Sequence, residues 1–337
     1  MPDQSIVILI VAITLSVGFN FVNGFHDAAN TIATSIGSRA LTIPAALSLA
    51  AVFNFLGAFV SHKVAYTVAT GVVAPSVLDN NVIIAAMLSA ILWNLVTWYF
   101  AAPSSSSHAL ISALFGAALM KTFMEGSGFE YFNWPSLLKI IIALFTSPIV
   151  GLFAGYVFFK LIVRLTTLIF PKVSTHKPNR LFARLQIVSA AFMSFSHGMN
   201  DAQKTMGIVA LALFQGGWIT EFVIPFWVTA LCALAISLGS LVGGLRIIKT
   251  VAKKITDLQP VHGFCAELGS ASVIFGASLI GMPVSTTHIA TSSVVGVGSA
   301  KSVGKVRRNI VMGIVSAWVI TIPVTLIGAA VAYWVIS

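Results

Sequence analysis

Ala101-Ala-Pro-Ser-Ser-Ser-Ser-His108 stands inside residues 80–120, a run of 41 residues without Asp, Glu, Lys or Arg. A membrane-spanning helix needs roughly 20 residues, so the run is too long for one crossing. A proline followed by four serines also stops one helix and starts another, because proline suits a first turn and serine caps it. The run therefore reads as a helical hairpin with its polar tip buried at depth. Residues 268–300, 33 without a charge, repeat the device around Gly281-Met-Pro-Val-Ser-Thr-Thr-His288. Two such hairpins in one chain decide the fold.

The composition around them agrees. Apolar residues are 58% of the 337 and charged residues 8%, against roughly 45–50% and 25% in soluble domains. Mean hydropathy is +0.98. So few charges cannot cover a soluble surface, and the chain reads as an integral protein of the lipid bilayer. With no alternating strand pattern, the backbone must satisfy itself in α-helices. The net charge of +10 comes from basic residues in short loops between apolar runs, so no nucleic-acid partner is expected. Cys232 and Cys265 lie in apolar sequence and support no disulfide framework. Met1-Pro-Asp-Gln4 is acidic and leads into a long apolar run, unlike a secretory signal.

Uncharged runs at 4–26, 40–62, 140–159, 185–200, 222–245 and 309–337 supply one full crossing each, the fourth continuing to 220 past Asp201 and Lys204. Basic loops face the cytoplasm. Arg164, Lys172, Lys177, Arg180 and Arg184 fall in loop 164–184, and Arg246, Lys249, Lys253 and Lys254 in loop 244–262. With Lys301, Lys305, Arg307, Arg308 and Arg39, these are 14 of the 19 basic residues, all on one face in a single assignment. Asp3, Asp79, Glu125, Glu130 and Glu221 then lie outside. The assignment requires the first hairpin to be re-entrant from outside and the second from the cytoplasm. Both termini come out extracellular, in the cell membrane.

Each half then has three crossings, some of their helices broken, plus one re-entrant hairpin, and an odd count inverts the second half. The expected fold is an all-α polytopic membrane protein of two inverted repeats, 1–163 and 185–337, joined by a basic cytoplasmic linker, 164–184. The halves also match in sequence. Phe21–Ile32 aligns with Phe195–Met206 at 5 of 12 positions, Asp27 with Asp201 among them. Pro103, Ser105, His108, Ser112 and Gly116 recur as Pro283, Ser285, His288, Ser292 and Gly296. Inverted repeats with interrupted helices are the layout of secondary transporters, whose substrate sites form at the midplane.

Four polar elements would meet there. Asn23, Asp27 and Asn30 share one helix face, with His197, Asp201 and Lys204 as counterparts. A mid-membrane carboxylate costs about 2.5–3.5 kcal/mol, which a small hard cation held by carboxylate and amide oxygens would offset. Gly24 and Gly198 would permit local unwinding that frees carbonyls. The other reading is an Asp201–Lys204 pair that only neutralises itself. At the tips, hydroxyls at 104–107 and 285–287 and the free amides of a helix start form an anion site, or else merely cap two helices. His26, His108, His197 and His288 lie on separate elements and read as orienting groups, gates or coupling residues rather than a metal set. Glu267 is either a gate or coupling residue, or a solvated charge at the cytoplasmic rim. Gly151 and Gly155 suit close helix packing, or sometimes dimerisation.

Gly24-Phe-His-Asp-Ala-Ala-Asn30 and Gly198-Met-Asn-Asp-Ala-Gln-Lys204 resemble the duplicated signature of the inorganic phosphate transporter (PiT) family, and the two tips resemble its tip motifs. The likeness covers nearly the whole chain. It implies cotransport of inorganic phosphate with Na⁺ or H⁺ by a homodimer, with no enzymatic activity and no cofactor beyond the coupling ion. It places phosphate ligands at Ser104, Ser105, Ser106, Ser107, Ser285, Thr286, Thr287, Asn200, Gln203 and Lys204. Na⁺ ligands fall at Asn23, Asp27, Asn30, Asn200 and Asp201, with the ion at Asp27 and Asp201. Glu267 matches an acidic position that the family uses for phosphate transport. Two departures stand out: His26 replaces the usual Asn, and Asn54 stands where animal members carry Glu. Na⁺-coupled phosphate symport is the expected function. Its rivals are H⁺-coupled phosphate or metal-phosphate symport, a sulfate carrier, a channel, and an intramembrane Ser/His hydrolase. No nucleotide-binding motif suggests ATP drive.

Overall fold

A computed structural model describes residues 4–74, 77–126, 128–169, 180–254, 258–301 and 308–337. Among them are twelve α-helices: α1 (Gln4–Gly37), α2 (Ile43–Gly57), α3 (Lys63–Gly71), α4 (Asn80–Tyr99), α5 (Ser106–Met124), α6 (Trp134–Ile169), α7 (Arg180–Gln215), α8 (Phe226–Val242), α9 (Leu245–Lys254), α10 (Pro260–Leu279), α11 (Thr286–Lys301) and α12 (Arg308–Ile336). The all-α membrane fold expected from the hairpins is present. Of the linker and the basic loops, residues 170–179, 255–257 and 302–307, with Lys172, Lys177, Lys305 and Arg307, lie outside the described residues.

Helices α7–α10 follow α1–α4 in order and closely in length: 36 residues after 34, 17 after 15, 10 after 9, and 20 after 20. The main packing pairs recur with the halves exchanged. α1 packs on α8, α9 and α4, as α7 does on α2, α3 and α10. Hairpin α4–α5 packs on α12, and hairpin α10–α11 on α6. Each half thus grips the last helix of the other, and the two interlock.

Five of the described helices are long and apolar enough to cross a membrane: those within α1, α4, α5, α6 and α12. α7 fails that test because its middle carries Asp201 and Lys204, yet residues 196–213 are buried throughout. The runs at 40–62 and 222–245, expected as single crossings, are broken pieces. α2 and α8, at 15 and 17 residues, fall short of a crossing, and α3 and α9 follow after breaks.

The glycines correct a second expectation. α1 and α7 run unbroken through Gly24 and Gly198. A Cβ at Gly24 would lie 2.4 Å from the Ile236 carbonyl oxygen, and one at Gly198 2.2 Å from that of Asn54. These glycines let α1 cross α8 and α7 cross α2 at backbone contact, and no unwinding is needed. Gly151 and Gly155 likewise receive α11, at Ile289 and Ser293, within the same chain.

Two apolar cores flank the polar layer. One gathers Leu9, Phe19, Val64, Met87, Leu114 and Ile208; the other gathers Ile32, Ala50, Phe182, Ile247 and Val261. Between them lie the middles of α1 and α7. Outside, Phe145, Ile149, Val319 and Trp334 are more than half exposed. An apolar belt of this kind marks a lipid-facing surface.

Candidate site at the crossing of α1 and α7

The stripe Asn23, Asp27 and Asn30 on α1 meets His197, Asp201 and Lys204 on α7, and both hairpin tips close on them. Residues 103–108 and 283–288 are buried almost throughout, so neither tip reaches a surface. The tips touch one another: Ser285 Oγ donates to Ser105 Oγ at 2.8 Å. These two serines are also the N-caps, each accepting the backbone N–H three residues on, from His108 at 3.1 Å and His288 at 3.2 Å. Capping therefore accounts for Ser105 and Ser285. It leaves the hydroxyls beside them unexplained.

Those hydroxyls go to the carboxylates. Asp27, 1% exposed, accepts Ser106 Oγ at 2.6 Å from the first tip and Thr287 Oγ1 at 3.0 Å from the second. His26 Nδ1 lies 2.7 Å from Asp27 Oδ1. Asp201, fully buried, accepts Lys204 Nζ at 2.6 Å, Thr286 Oγ1 at 3.1 Å and Asn23 Nδ2 at 3.3 Å. His197 Nε2 is 3.2 Å from Asp201 Oδ2, near enough for charge pairing but out of line for a hydrogen bond. Lys204 also reaches Ser107 Oγ at 2.5 Å and the Val284 carbonyl at 3.1 Å, joining both tips.

One ligand atom from each of Asp27, His197 and Asp201 lies within 4.8 Å of the others. Asn23 Oδ1 and Asn30 Oδ1 are buried without a partner. An unpartnered buried oxygen costs about 1–3 kcal/mol, and a small cation would use both as ligands. Of the residues expected to hold Na⁺, Asp27 and Asp201 come together with Asn23 bonded to Asp201, while Asn200 is engaged elsewhere. Asp27 is not left without partners, and Asp201 does pair with Lys204.

Other expected residues are engaged nearby. Asn200 ties α7 to the second hairpin, donating to Ser278 Oγ at 2.8 Å and the Met282 carbonyl at 3.2 Å. His26, its counterpart by position, ties α1 to the first hairpin through Thr97 at 3.1 Å, with Ser104 bonded to Thr97 at 2.8 Å. Gln203 lies away from the tips. Its Oε1 accepts the Val64 N–H at 2.9 Å and so caps α3. His108 and His288 stack on each other, ring centroids 4.5 Å apart, behind the tips. Asn54 bonds His197 Nδ1 at 2.9 Å and Ser240 at 2.9 Å, fixing the imidazole.

Glu267 is 3% exposed, which removes the reading as a solvated rim charge. It accepts Thr34 and Ser35 from α1 at 2.5 and 2.6 Å, and Gln186 and Ser189 from α7 at 3.1 and 2.5 Å. A void of about 10 Å³ lies between Asn30 and Glu267. That is about the room one water needs. Thr34 was legible, since it extends the stripe Asn23, Asp27, Asn30 by one more turn; Thr97, Gln186 and Ser189 carried no such signal.

Paired buried carboxylates thus lie between two touching helix starts, in a membrane protein whose described residues are helical, and the comparisons give the class: a transporter. The chain belongs to the phosphate transporter family, whose model matches residues 23–329. It is 43% identical over 338 residues to a probable low-affinity inorganic phosphate transporter of Bacillus subtilis, covering 99% of each chain. Its identity to a protein of the same description from Rhizobium meliloti is 45%, over 97% of this chain and 96% of that one. Among solved structures it is similar to one described as the sodium-dependent phosphate transporter, with a TM-score of 0.85, 27% identity, and coverage of 98% and 99%. The resemblance read from the duplicated signature is borne out.

Proposed function

We propose that the protein carries inorganic phosphate into the cell by cation-coupled symport, with Na⁺ as the coupling ion. The observation that carries this reading is the meeting of Asp27 and Asp201 with hydroxyls from both tips, beside the unpartnered Asn23 and Asn30 oxygens. The relatives described as phosphate transporters support the substrate, and the sodium-dependent neighbour supports the ion.

The hydrogen bonds support an order of events. A hydroxyl has one proton, and those of Ser106, Thr286 and Thr287 are committed to carboxylates. In that state they turn lone pairs toward an incoming anion. A cation at Asp27 and Asp201 takes over the carboxylate charge, and the same hydroxyls are then free to donate to phosphate. The helix-start amides add donors, and Lys204 turns to the anion as the cation takes over Asp201, its present partner. Cation binding therefore precedes phosphate, and each net charge moved inward gains about 2.3 kcal/mol per 100 mV.

The halves 1–163 and 185–337 act as inverted repeats, with the tips re-entrant, the termini outside, and a homodimer in the cell membrane. Glu267 and its four donors serve as the coupling or release station between the site and the cytoplasm. The test is ³²P-phosphate uptake into proteoliposomes with Na⁺ and H⁺ gradients imposed separately. Uptake driven by the Na⁺ gradient alone is expected; uptake driven only by H⁺ overturns the choice of ion, and labelled sulfate carried in its place overturns the substrate.

A further inference from the structure

Each tip proline has a consequence at the end of the helix before it. In a helix the carbonyl of one residue takes the N–H of the residue four further on. Pro103 and Pro283 therefore deprive the Tyr99 and Leu279 carbonyls of their donor. The turns that follow do not replace it. Ala101 and Ala102 bond back to Trp98 and Thr97, and Gly281 and Met282 to Ser278 and Ala277, at 2.9–3.1 Å. Among the described residues no backbone N–H reaches the carbonyl of Tyr99 or Leu279.

A cation from the other half meets each of them instead. Lys63 Nζ donates to the Leu279 carbonyl at 2.9 Å, and Arg246 Nη1 to that of Tyr99 at 2.9 Å. Lys63 opens α3 and Arg246 lies in the first turn of α9, the equivalent short helices. Their sequences match as well. Lys63-Val-Ala-Tyr-Thr-Val-Ala69 and Arg246-Ile-Ile-Lys-Thr-Val-Ala252 each set a basic residue four places before the same Thr-Val-Ala. A basic side chain suits the negative end of any helix. Here it comes twice, from opposite halves, to the one carbonyl that each proline frees. The Arg246 contact is the richer. Its guanidinium lies over the Trp98 and Tyr99 rings, 5.2 and 5.0 Å from their centroids, and Thr250 Oγ1 donates to the Ala101 carbonyl at 3.1 Å. Ala101 has a φ of 55°, a left-handed conformation that a residue with a Cβ adopts at a cost. Its counterpart Gly281, at 75°, avoids that cost.

We propose that Lys63 and Arg246 are positioning residues for transport, paired latches that each hold one hairpin turn shut over the carboxylates. The assignment of faces rests on the orientation and symport proposed above. In that orientation the turn of the first hairpin is its innermost point and the turn of the second its outermost. Arg246 thus closes the cytoplasmic approach and Lys63 the outer one. Both latches are made in this structure and both tips are buried, which is an occluded form. Transport requires them to open in alternation, Lys63 to admit and Arg246 to release. The inner latch, with its ring contacts and the Thr250 bond, is the tighter of the two.

The test is the rate at which an impermeant methanethiosulfonate modifies a buried reporter in a background lacking Cys232 and Cys265. The reporters are Val284→Cys beside the second turn and Ser104→Cys beside the first, at positions 6% and 0% exposed. Right-side-out and inside-out membrane vesicles present each face in turn. Lys63→Met keeps the apolar stem and removes the donor. It should speed modification of Val284→Cys from outside about two- to fivefold, the factor for 0.3–1 kcal/mol at a helix C-terminus. Ser104→Cys should stay at its native rate from the cytoplasmic side. Arg246→Met should do the converse, by a larger factor. Lys63→Arg should keep the native rate, and Arg246→Lys should fall between, since lysine keeps a donor but stacks less on the rings. Faster modification of both reporters from both faces in either methionine variant is general loosening and overturns the proposal. Native rates in both methionine variants overturn it too. Exchanged faces, with Lys63→Met opening Val284→Cys to the cytoplasm alone, support the latches and overturn the orientation. None of these rates depends on which ion or oxyanion is carried.

Discussion

Asp27 and Asp201 occupy equivalent places in the two halves, yet they are compensated differently. Asp201 has a fixed cation in Lys204 at 2.6 Å. Among the described residues Asp27 has no lysine or arginine partner; its contacts are His26 and hydroxyls from both tips. The two segments carry the same carboxylate, and one of the two is paired with a lysine on its own helix. On the proposed mechanism the difference makes Asp27 the half left for a mobile ion, while Lys204 ties Asp201 to both tips.

That contrast can be broken by charge removal. Asp201→Asn leaves Lys204 buried without its counter-charge, a change that typically costs about 3–5 kcal/mol. A large drop in thermal stability in detergent is expected, restored when Lys204→Gln is added. Asp27→Asn creates no orphaned lysine, so its stability should change little. Equal destabilisation by both would erase the asymmetry. Transport should not follow stability. Uptake is expected to fall at least tenfold in Asp27→Asn and in the Asp201→Asn/Lys204→Gln double variant alike, roughly 1.4 kcal/mol or more.

The tips sharpen the comparison at lower amplitude. Ser106→Ala and Thr286→Ala each remove one donor and leave the helix-start amides, so phosphate affinity should weaken about tenfold, roughly 1.4 kcal/mol. Ser105→Ala removes a cap instead, and costs about 1 kcal/mol of stability with affinity kept. Asp at Ser106 would set a like charge against the anion and stop transport. Normal uptake in Ser106→Asp would reduce the tips to caps. The smallest effect is expected at Glu267→Gln, a few-fold slower uptake, because its amide can no longer accept all four donors.

Glu267 marks a second difference between the halves. By position its counterpart is Met87, and the counterparts of Thr34 and Ser35 are Ile208 and Val209, all buried in the larger apolar core. One side of the carboxylate layer is hydroxylated and the other is sealed by hydrocarbon. This one-sidedness suits release toward the face on which Glu267 lies.

Much of this was legible in the sequence. The two proline-marked breaks predicted the hairpins, and the duplicated Asp segments predicted where α1 and α7 would cross. Stripe spacing brought Asn23, Asp27 and Asn30 to one face. Glycine misled, because it serves backbone approach as readily as unwinding, and only the facing carbonyls of Ile236 and Asn54 tell these apart. Gln203 misled for a related reason. It shares a motif with Asp201 but points to the start of α3, which no local spacing reveals. The run 40–62 did not reveal that α2 stops at Gly57 and a new helix, α3, starts at Lys63, since hydropathy does not register a break that other helices bury.

Orientation can be read separately. A cysteine at Glu221, in a background lacking Cys232 and Cys265, should react with an impermeant reagent on intact cells, and one at Arg184 should not. Reaction at Arg184 would undo the inverted arrangement.

The most direct test of the account is phosphate binding to the purified protein with and without Na⁺, in the native sequence and in Asp27→Asn. If a cation at Asp27 frees the tip hydroxyls, Na⁺ should tighten phosphate binding at least tenfold in the native protein, about 1.4 kcal/mol of coupling, and leave Asp27→Asn unaffected. Phosphate binding of equal strength with and without Na⁺ in the native protein would contradict it.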